Sequence, residues 1–140
     1  MRRSIQNVLF AAASAAALLI TGETRADINS VVVTETGDLE IAFDAIAIPL
    51  RSSPFAAQAE VMAIYACGSG ASETVHINLY TGRAFESNST GRVLGMVTGH
   101  QPISQVQCAA PRLVYVRYTN VRILSEMGQP MIGRDVERAF

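Results

Sequence analysis

Apolar and polar residues alternate along several segments of the chain, most regularly over residues 73–80. In that segment Val75, Ile77 and Leu79 alternate with polar side chains. An alternation with a period of two is typical of a β-strand that has one face on a core and the other in water. The same criterion predicts strands over residues 30–36, 39–48, 92–98 and 112–124.

The first two of these strands are separated by a short turn signal. Residues 36–38 read Thr-Gly-Asp, and the residues before them are rich in β-branched side chains. This pattern predicts a β-hairpin. Pro49 ends its second strand, because proline cannot donate a hydrogen bond to a neighbouring strand.

The apolar positions change phase within the longest predicted strand, residues 112–124. Leu113 and Tyr115 share one face in its first half, whereas Val121 and Ile123 carry the apolar phase in its second half. A β-bulge or a tight hairpin near residues 119–120 would account for this change.

The segment 54–66 permits two interpretations. Ser53 and Pro54 suit the start of a helix, and the residues that follow are mostly strong helix formers with no internal glycine or proline. Phe55, Ala59, Met62 and Ala66 also fall on one helical face. We predict a helix here. The alternative is a strand over residues 61–67 that pairs with 73–80 across the Cys-Gly-Ser-Gly-Ala-Ser turn.

Together these elements predict a small α+β domain, made of mostly antiparallel strands with one helix at about 54–66 and one disulfide. The alternative fold is an all-β sandwich or barrel, in which that segment is a strand. The 140 residues suffice for one domain. A short tail, residues 134–140, is expected to form a frayed helix.

Residues 1–26 have the features of a secretory signal peptide. Arg2 and Arg3 precede an apolar run over 8–20, and residues 24–26 (Thr-Arg-Ala) offer a cleavage site. The run is shorter than the roughly 20 residues of a spanning helix, so we expect no transmembrane segment after cleavage. The predicted exported domain, residues 27–140, is periplasmic or secreted. Its eight arginines and eleven acidic residues give a formal charge of −3, which does not favour nucleic acid as a partner.

Cys67 and Cys108 are the only cysteines of the chain. An even number of cysteines in an exported protein usually forms disulfides, so we predict a structural bridge between these two. Redox-active pairs are normally close in sequence, in a C-x-x-C motif, and this pair is not.

The sequence offers little catalytic chemistry. His76 and His100 are the only histidines and lack the spacing of a metal site, and Ser69 lacks the complete nucleophile-elbow motif. The acidic residues of the predicted hairpin lack the regular spacing of a calcium loop. We therefore predict no metal, no cofactor and no enzymatic activity.

Four residues of the strand 112–124 stand out as a candidate binding patch: Tyr115, Arg117, Tyr118 and Arg122. Tyrosine and arginine are enriched at binding hot spots, because they combine a large contact area with a polar group. The sequence thus favours a non-enzymatic binding or accessory protein of the bacterial envelope or medium, with a protein or glycan partner. The alternatives are a small periplasmic hydrolase with a histidine–carboxylate site and a periplasmic enzyme inhibitor.

Overall fold

The computed structural model describes residues 26–126 and 128–140, which form eight β-strands and one short 3₁₀ turn, Ile103–Gln105. The predicted signal peptide, apart from Ala26, lies outside the described residues. The strands are β1 (Asp27–Val33), β2 (Leu39–Ile46), β3 (Ser52–Ala66), β4 (Ser72–Glu86), β5 (Arg92–Gly99), β6 (Arg112–Ser125), β7 (Met131–Ile132) and β8 (Val136–Ala139). None of the helical structure described is long and apolar enough to span a bilayer.

The strands form two antiparallel sheets. The smaller sheet has the order β1-β2-β5, and the larger has the order β4-β3-β6-β7, with β8 also paired to β6. The apolar inner faces of the two sheets pack on each other around one core, and the sheets do not close into a barrel. The sandwich form of the alternative fold is therefore the observed one.

The helix predicted over residues 54–66 is wrong, because this segment belongs to β3, an inner strand of the larger sheet. The inward-facing residues of β3 are Phe55, Ala57, Ala59, Val61, Ala63 and Tyr65, and all six are buried. β3 pairs with β4 across the glycine-containing turn, with Tyr65 opposite Glu73. The helix prediction followed the high helix propensity of alanine, whereas in the folded chain these small side chains are buried in the core between the two sheets.

The predicted irregularity of the long strand is a β-bulge in β6. Gln58 of β3 lies opposite Arg122 and Glu60 lies opposite Thr119, so β6 has one extra residue between these pairs. Asn120 adopts a left-handed backbone with a φ of 52° at this point. As a result both Tyr118 and Val121 face the core, which explains the change of phase in the sequence.

The frayed helix predicted for residues 134–140 is wrong as well. Its residues 136–139 form β8, which pairs with the first half of β6, and the Phe140 amide donates a hydrogen bond to the Val114 carbonyl (3.0 Å). β8 extends the larger sheet toward β1 of the smaller sheet, so the C-terminal segment forms one edge of the sandwich.

Two buried tyrosines connect the sheets near the first hairpin. Tyr118 donates its hydroxyl proton to the Gly37 carbonyl (2.6 Å), and the Tyr65 hydroxyl donates to Gln101. Burial, together with the nearby Asp38 carboxylate, raises the pKa of Tyr65 to about 12, and the same two causes raise the pKa of Tyr118.

These tyrosines predict a loss of stability at alkaline pH. Both phenols stay protonated in the folded state above pH 10, where an unfolded tyrosine ionises, so the folded state binds more protons. Stability is then complete below about pH 10 and falls by about 1.4 kcal/mol per pH unit and per tyrosine until the folded pKa is reached. Urea unfolding at pH 9, 10 and 11 measures this slope.

A matched pair of variants assigns the slope to the buried ring. Tyr65→Phe is expected to reduce the fall of the unfolding free energy with pH by the contribution of one tyrosine. Tyr80→Phe is not expected to change this slope, because Tyr80 is 65% exposed. An unchanged alkaline slope in Tyr65→Phe would show that this residue is not the group responsible.

Candidate binding face

The outer face of the larger sheet carries a band of side chains that point away from the core. We call this surface the binding face. In the pairing of β4, β3 and β6, its rows across the sheet are Tyr80–Gln58–Arg122, Asn78–Glu60–Thr119, His76–Met62–Arg117 and Thr74–Ile64–Tyr115. Glu137 of β8 extends the third row beside Arg117. Strand pairing alone brings together side chains that are far apart in the sequence.

Three of the four residues of the predicted patch lie on this face. Tyr115, Arg117 and Arg122 share it, because they belong to the outward-facing set of β6 on either side of the bulge. Tyr118 does not belong to the patch. It faces inward, is fully buried and uses its hydroxyl on the backbone of Gly37.

Two neighbouring strands also contribute to this face, and the predicted patch does not include their residues. Gln58 and Glu60 come from β3, which was predicted as a helix, and Tyr80 and Asn78 come from the polar side of β4. The signal was present in β4, where the alternation already marked these positions as solvent-facing. For β3, the outward direction of Gln58 and Glu60 follows only when residues 54–66 are interpreted as a strand.

Two shallow depressions lie on the binding face. One, of about 390 Å³, is lined among others by Gln58, Asn78, Tyr80 and Arg122. The other, of about 240 Å³, is lined among others by His76 and Arg117. Glu60 borders both, and its Oε2 accepts a hydrogen bond from Nδ2 of Asn120 (2.8 Å) at the bulge. The bulge thus orients the Glu60 carboxylate, which lies between the two depressions.

The hydrogen-bonding groups of the face are of mixed character. Arg117 and Arg122 are donors, and no carboxylate in the described ranges lies within ion-pair distance of either. Glu60 is an acceptor, and the amides of Gln58 and Asn78 are both donors and acceptors. A surface of this kind can bond to ligands in which donors and acceptors alternate.

Tyr115 is held at the end of the face nearest β8. Its hydroxyl donates a hydrogen bond to Oε1 of Glu137. This hydrogen bond raises the pKa of Tyr115, and partial desolvation and the charge of Glu137 act in the same direction. The Tyr115 hydroxyl is therefore already engaged within the sheet.

The two histidines belong to different segments and differ in their surroundings. His76 is on the binding face. His100 is at the end of β5, where its Nδ1 lies 3.5 Å from Oδ2 of Asp38, but its side chain is 84% exposed. Oδ1 of Asp38 accepts a hydrogen bond from the Gln101 amide (2.9 Å), so the carboxylate orders a loop.

One cluster of three metal-ligating residue types occurs in the described ranges, and two of its members form the disulfide. Cys67, Glu73 and Cys108 have their ligand atoms within 4.8 Å of one another. The two sulfurs are bonded to each other, which confirms the predicted bridge. The Glu73 carboxylate accepts hydrogen bonds from the backbone amides of Gln107 and Cys108, so it fixes the loop that carries Cys108.

The comparisons with known proteins assign no family. No protein-family model, no curated protein and no solved structure matches this chain.

Proposed function

We propose that this protein is an exported, non-enzymatic binding protein that holds a glycan chain on its binding face. The observation that carries the proposal is the position of Tyr115, Arg117 and Arg122 on one outward-facing side of the sheet, where Arg117 is exposed and the other two are half-buried. Gln58 and Tyr80 extend that face from the neighbouring strands.

The shape of the face favours an extended ligand. Sites for small molecules are usually enclosed, mostly apolar cavities, whereas both depressions here are shallow and have mainly polar side chains. The rows with Tyr80 and Tyr115 are six residues apart along β3, which places the rings roughly 20 Å apart along the strands. A chain-like ligand can contact both ends at once.

The chemistry of the face favours a glycan over a protein. The centre of a protein interface is depleted in charged residues and is largely apolar. Here Glu60 and Arg117 lie in the two middle rows of the face, and Arg122 lies in the row of Tyr80. Sugar hydroxyls act as donors and acceptors, so they match the mixed amide, carboxylate and guanidinium groups.

The disulfide and the N-terminal sequence support the exported setting. Cys67 and Cys108 are joined, which is compatible with an oxidising compartment. Residues 1–26 carry the features of a secretory signal peptide. A glycan of the bacterial envelope is thus the ligand class that the protein would meet.

A glycan array tests the proposal. Labelled, oxidised protein covering residues 27–140 is expected to bind a subset of bacterial envelope glycans. Arg122→Ala should weaken that binding at least about tenfold, since a hydrogen bond to a charged group contributes about 1.5–3 kcal/mol.

The control for this experiment is Arg51→Ala. Arg51 is exposed and lies in the connection before β3, away from the binding face, so its replacement should leave glycan binding unchanged. Equal binding by Arg122→Ala and the unmodified protein would contradict the proposed face. Absence of binding to every glycan would contradict the proposed ligand.

A further inference from the structure

A cleft of about 670 Å³ lies beside the binding face, at the edge of the sandwich between β1 and β8. We call it the seam cleft. Its lining includes three valines and three arginines: Val32, Val33, Val136, Arg117, Arg134 and Arg138. Arg117 also lines the smaller depression of the binding face, so the two surfaces are continuous.

Two of the three guanidinium groups are fixed at the edge of β1. Nη2 of Arg134 donates to the Val31 carbonyl (3.0 Å), and Nη1 of Arg138 donates to the Val33 carbonyl (3.3 Å). The Arg138 guanidinium also lies 5.3 Å from the centre of the Phe140 ring. A guanidinium has five N–H donors, so each of these groups keeps donors for a further partner.

The acidic residues of the cleft are directed to other partners. Oδ1 of Asp135 accepts a hydrogen bond from the Asn120 amide (3.1 Å), and Oε1 of Glu137 accepts one from the Tyr115 hydroxyl. Within the described part of the chain, no carboxylate lies within ion-pair distance of Arg117, Arg134 or Arg138. Three arginines against two carboxylates give the lining a formal charge of +1, in a domain whose overall charge is negative.

A purely structural role explains only part of this arrangement. Arginines that cover the carbonyls of an edge strand prevent it from pairing with another chain, and Arg134 and Arg138 do cover β1. That role does not account for Arg117, which makes no such bond and lines the same cleft as the other two arginines, beside apolar walls. Low-dielectric walls strengthen the attraction of an anion to such a group of charges.

We infer that the seam cleft binds an anionic group, a carboxylate or a phosphate, through Arg117, Arg134 and Arg138. Planar guanidinium groups bind both kinds of anion with paired hydrogen bonds. This site goes beyond the proposed glycan binding and does not depend on it. Where both are correct, the continuity through Arg117 means that a single ligand with an acidic substituent contacts both surfaces.

Nuclear magnetic resonance of the arginine side chains tests the inference. The Nε–Hε signals of the oxidised protein, residues 27–140, are followed while sodium phosphate, sodium acetate or sodium chloride is added at equal ionic strength. Saturable shifts of the Arg134 and Arg138 signals with phosphate, acetate or both, and not with chloride, are expected. The anion with the lower Kd identifies which of the two groups the cleft prefers.

Arg83 provides a matched control. Its guanidinium donates a hydrogen bond to the Met96 carbonyl (3.4 Å) and lies over the Phe85 ring. These contacts match those of Arg138 with Val33 and Phe140, but Arg83 is near the opposite edge of the sandwich. Arg138→Gln is expected to raise the Kd of the anion at least tenfold, and Arg83→Gln to change it less than twofold. Arg117→Gln is a second test that breaks no bond to β1.

Three results would overturn the inference. These are shifts that stay linear with concentration, shifts that are equal with chloride, or an equal response of Arg83. A Kd that is unchanged in both Arg138→Gln and Arg117→Gln would do the same. Because the probes are inorganic phosphate and acetate, a negative glycan array does not affect this test.

Discussion

Loss of the Cys67–Cys108 disulfide is expected to lower the free energy of unfolding by about 4 kcal/mol. The bridge joins residues 41 positions apart, and closing a loop of this length removes much of the conformational entropy of the unfolded chain. It connects the β3–β4 turn to the long connection between β5 and β6. The regular secondary structure of that connection is limited to the 3₁₀ turn Ile103–Gln105, so the disulfide holds a segment that has few backbone hydrogen bonds of its own.

Urea unfolding of the double variant Cys67→Ser, Cys108→Ser measures this effect. The reduced unmodified protein should unfold at the same urea concentration as the double variant, and adding reductant to the variant should change nothing. A loss below about 1 kcal/mol would mean that the unfolded chain is already restricted, or that the hydrogen bonds of Glu73 hold the loop without the bridge.

A loss of about 4 kcal/mol would be a large share of the stability of a small domain, which is typically 5–15 kcal/mol. The folded state would then depend on a compartment in which the bridge forms. This connects the disulfide to the predicted export, because disulfides persist where the surroundings are oxidising.

The strands that could be predicted are those with one buried and one solvent-facing side. Residues 39–46 and 73–80 alternate clearly, since polar side chains on the outer face interrupt the apolar ones on the inner face. β3 was mistaken for a helix for the opposite reason. Its inner face has several alanines, and its outer face carries Met62 and Ile64, so neither face is distinct in the sequence.

The candidate site could be predicted only on β6. Tyr115 and Arg117 are two residues apart and share a face, whereas Tyr118 follows directly and must face the other way. The predicted patch of four residues combines both faces of the strand, although the alternation within the strand places Tyr118 on the opposite face from Tyr115 and Arg117. The bulge at Asn120 then restores Arg122 to the outer face.

The seam cleft could not be predicted from the sequence. It depends on the pairing of β8 with β6, which brings the C-terminal segment to the edge of β1. Nothing local to residues 134–140 specifies β6 as the partner of β8. The hydrogen bonds of Arg134 and Arg138 to β1 are equally non-local, because they reach carbonyls more than 100 residues away.

Phe43→Ala is expected to cost about 3–5 kcal/mol, as is usual when a buried phenylalanine is truncated. The Phe43 ring is buried between the two sheets, and its centre lies 5.1 Å from that of Phe55 and 5.5 Å from that of Phe85. Its space depends on Gly95, which is paired with it on β5. A Cβ at Gly95 would lie 2.3–2.9 Å from three carbons of the ring.

Because Phe43 packs against Gly95, we expect substitutions at these two positions to be energetically coupled. Gly95→Ala alone is expected to destabilise the protein by about 1–3 kcal/mol, because it overpacks the core. In the Phe43→Ala background the same change meets no ring, so its cost should fall and the double variant should be less destabilised than the sum of the two single changes.

Urea unfolding of the two single variants and the double variant measures this coupling, and Phe43→Leu replaces Phe43→Ala if the latter does not fold. Thr98→Ala, an exposed residue of the same strand, is the control and should shift stability by less than about 0.5 kcal/mol. Strict additivity of the two core changes would contradict the packing of Phe43 against Gly95. A coupling of 1 kcal/mol or more would show that the absence of a side chain at Gly95 is what admits the ring, and with it the three-phenylalanine cluster that joins the two sheets.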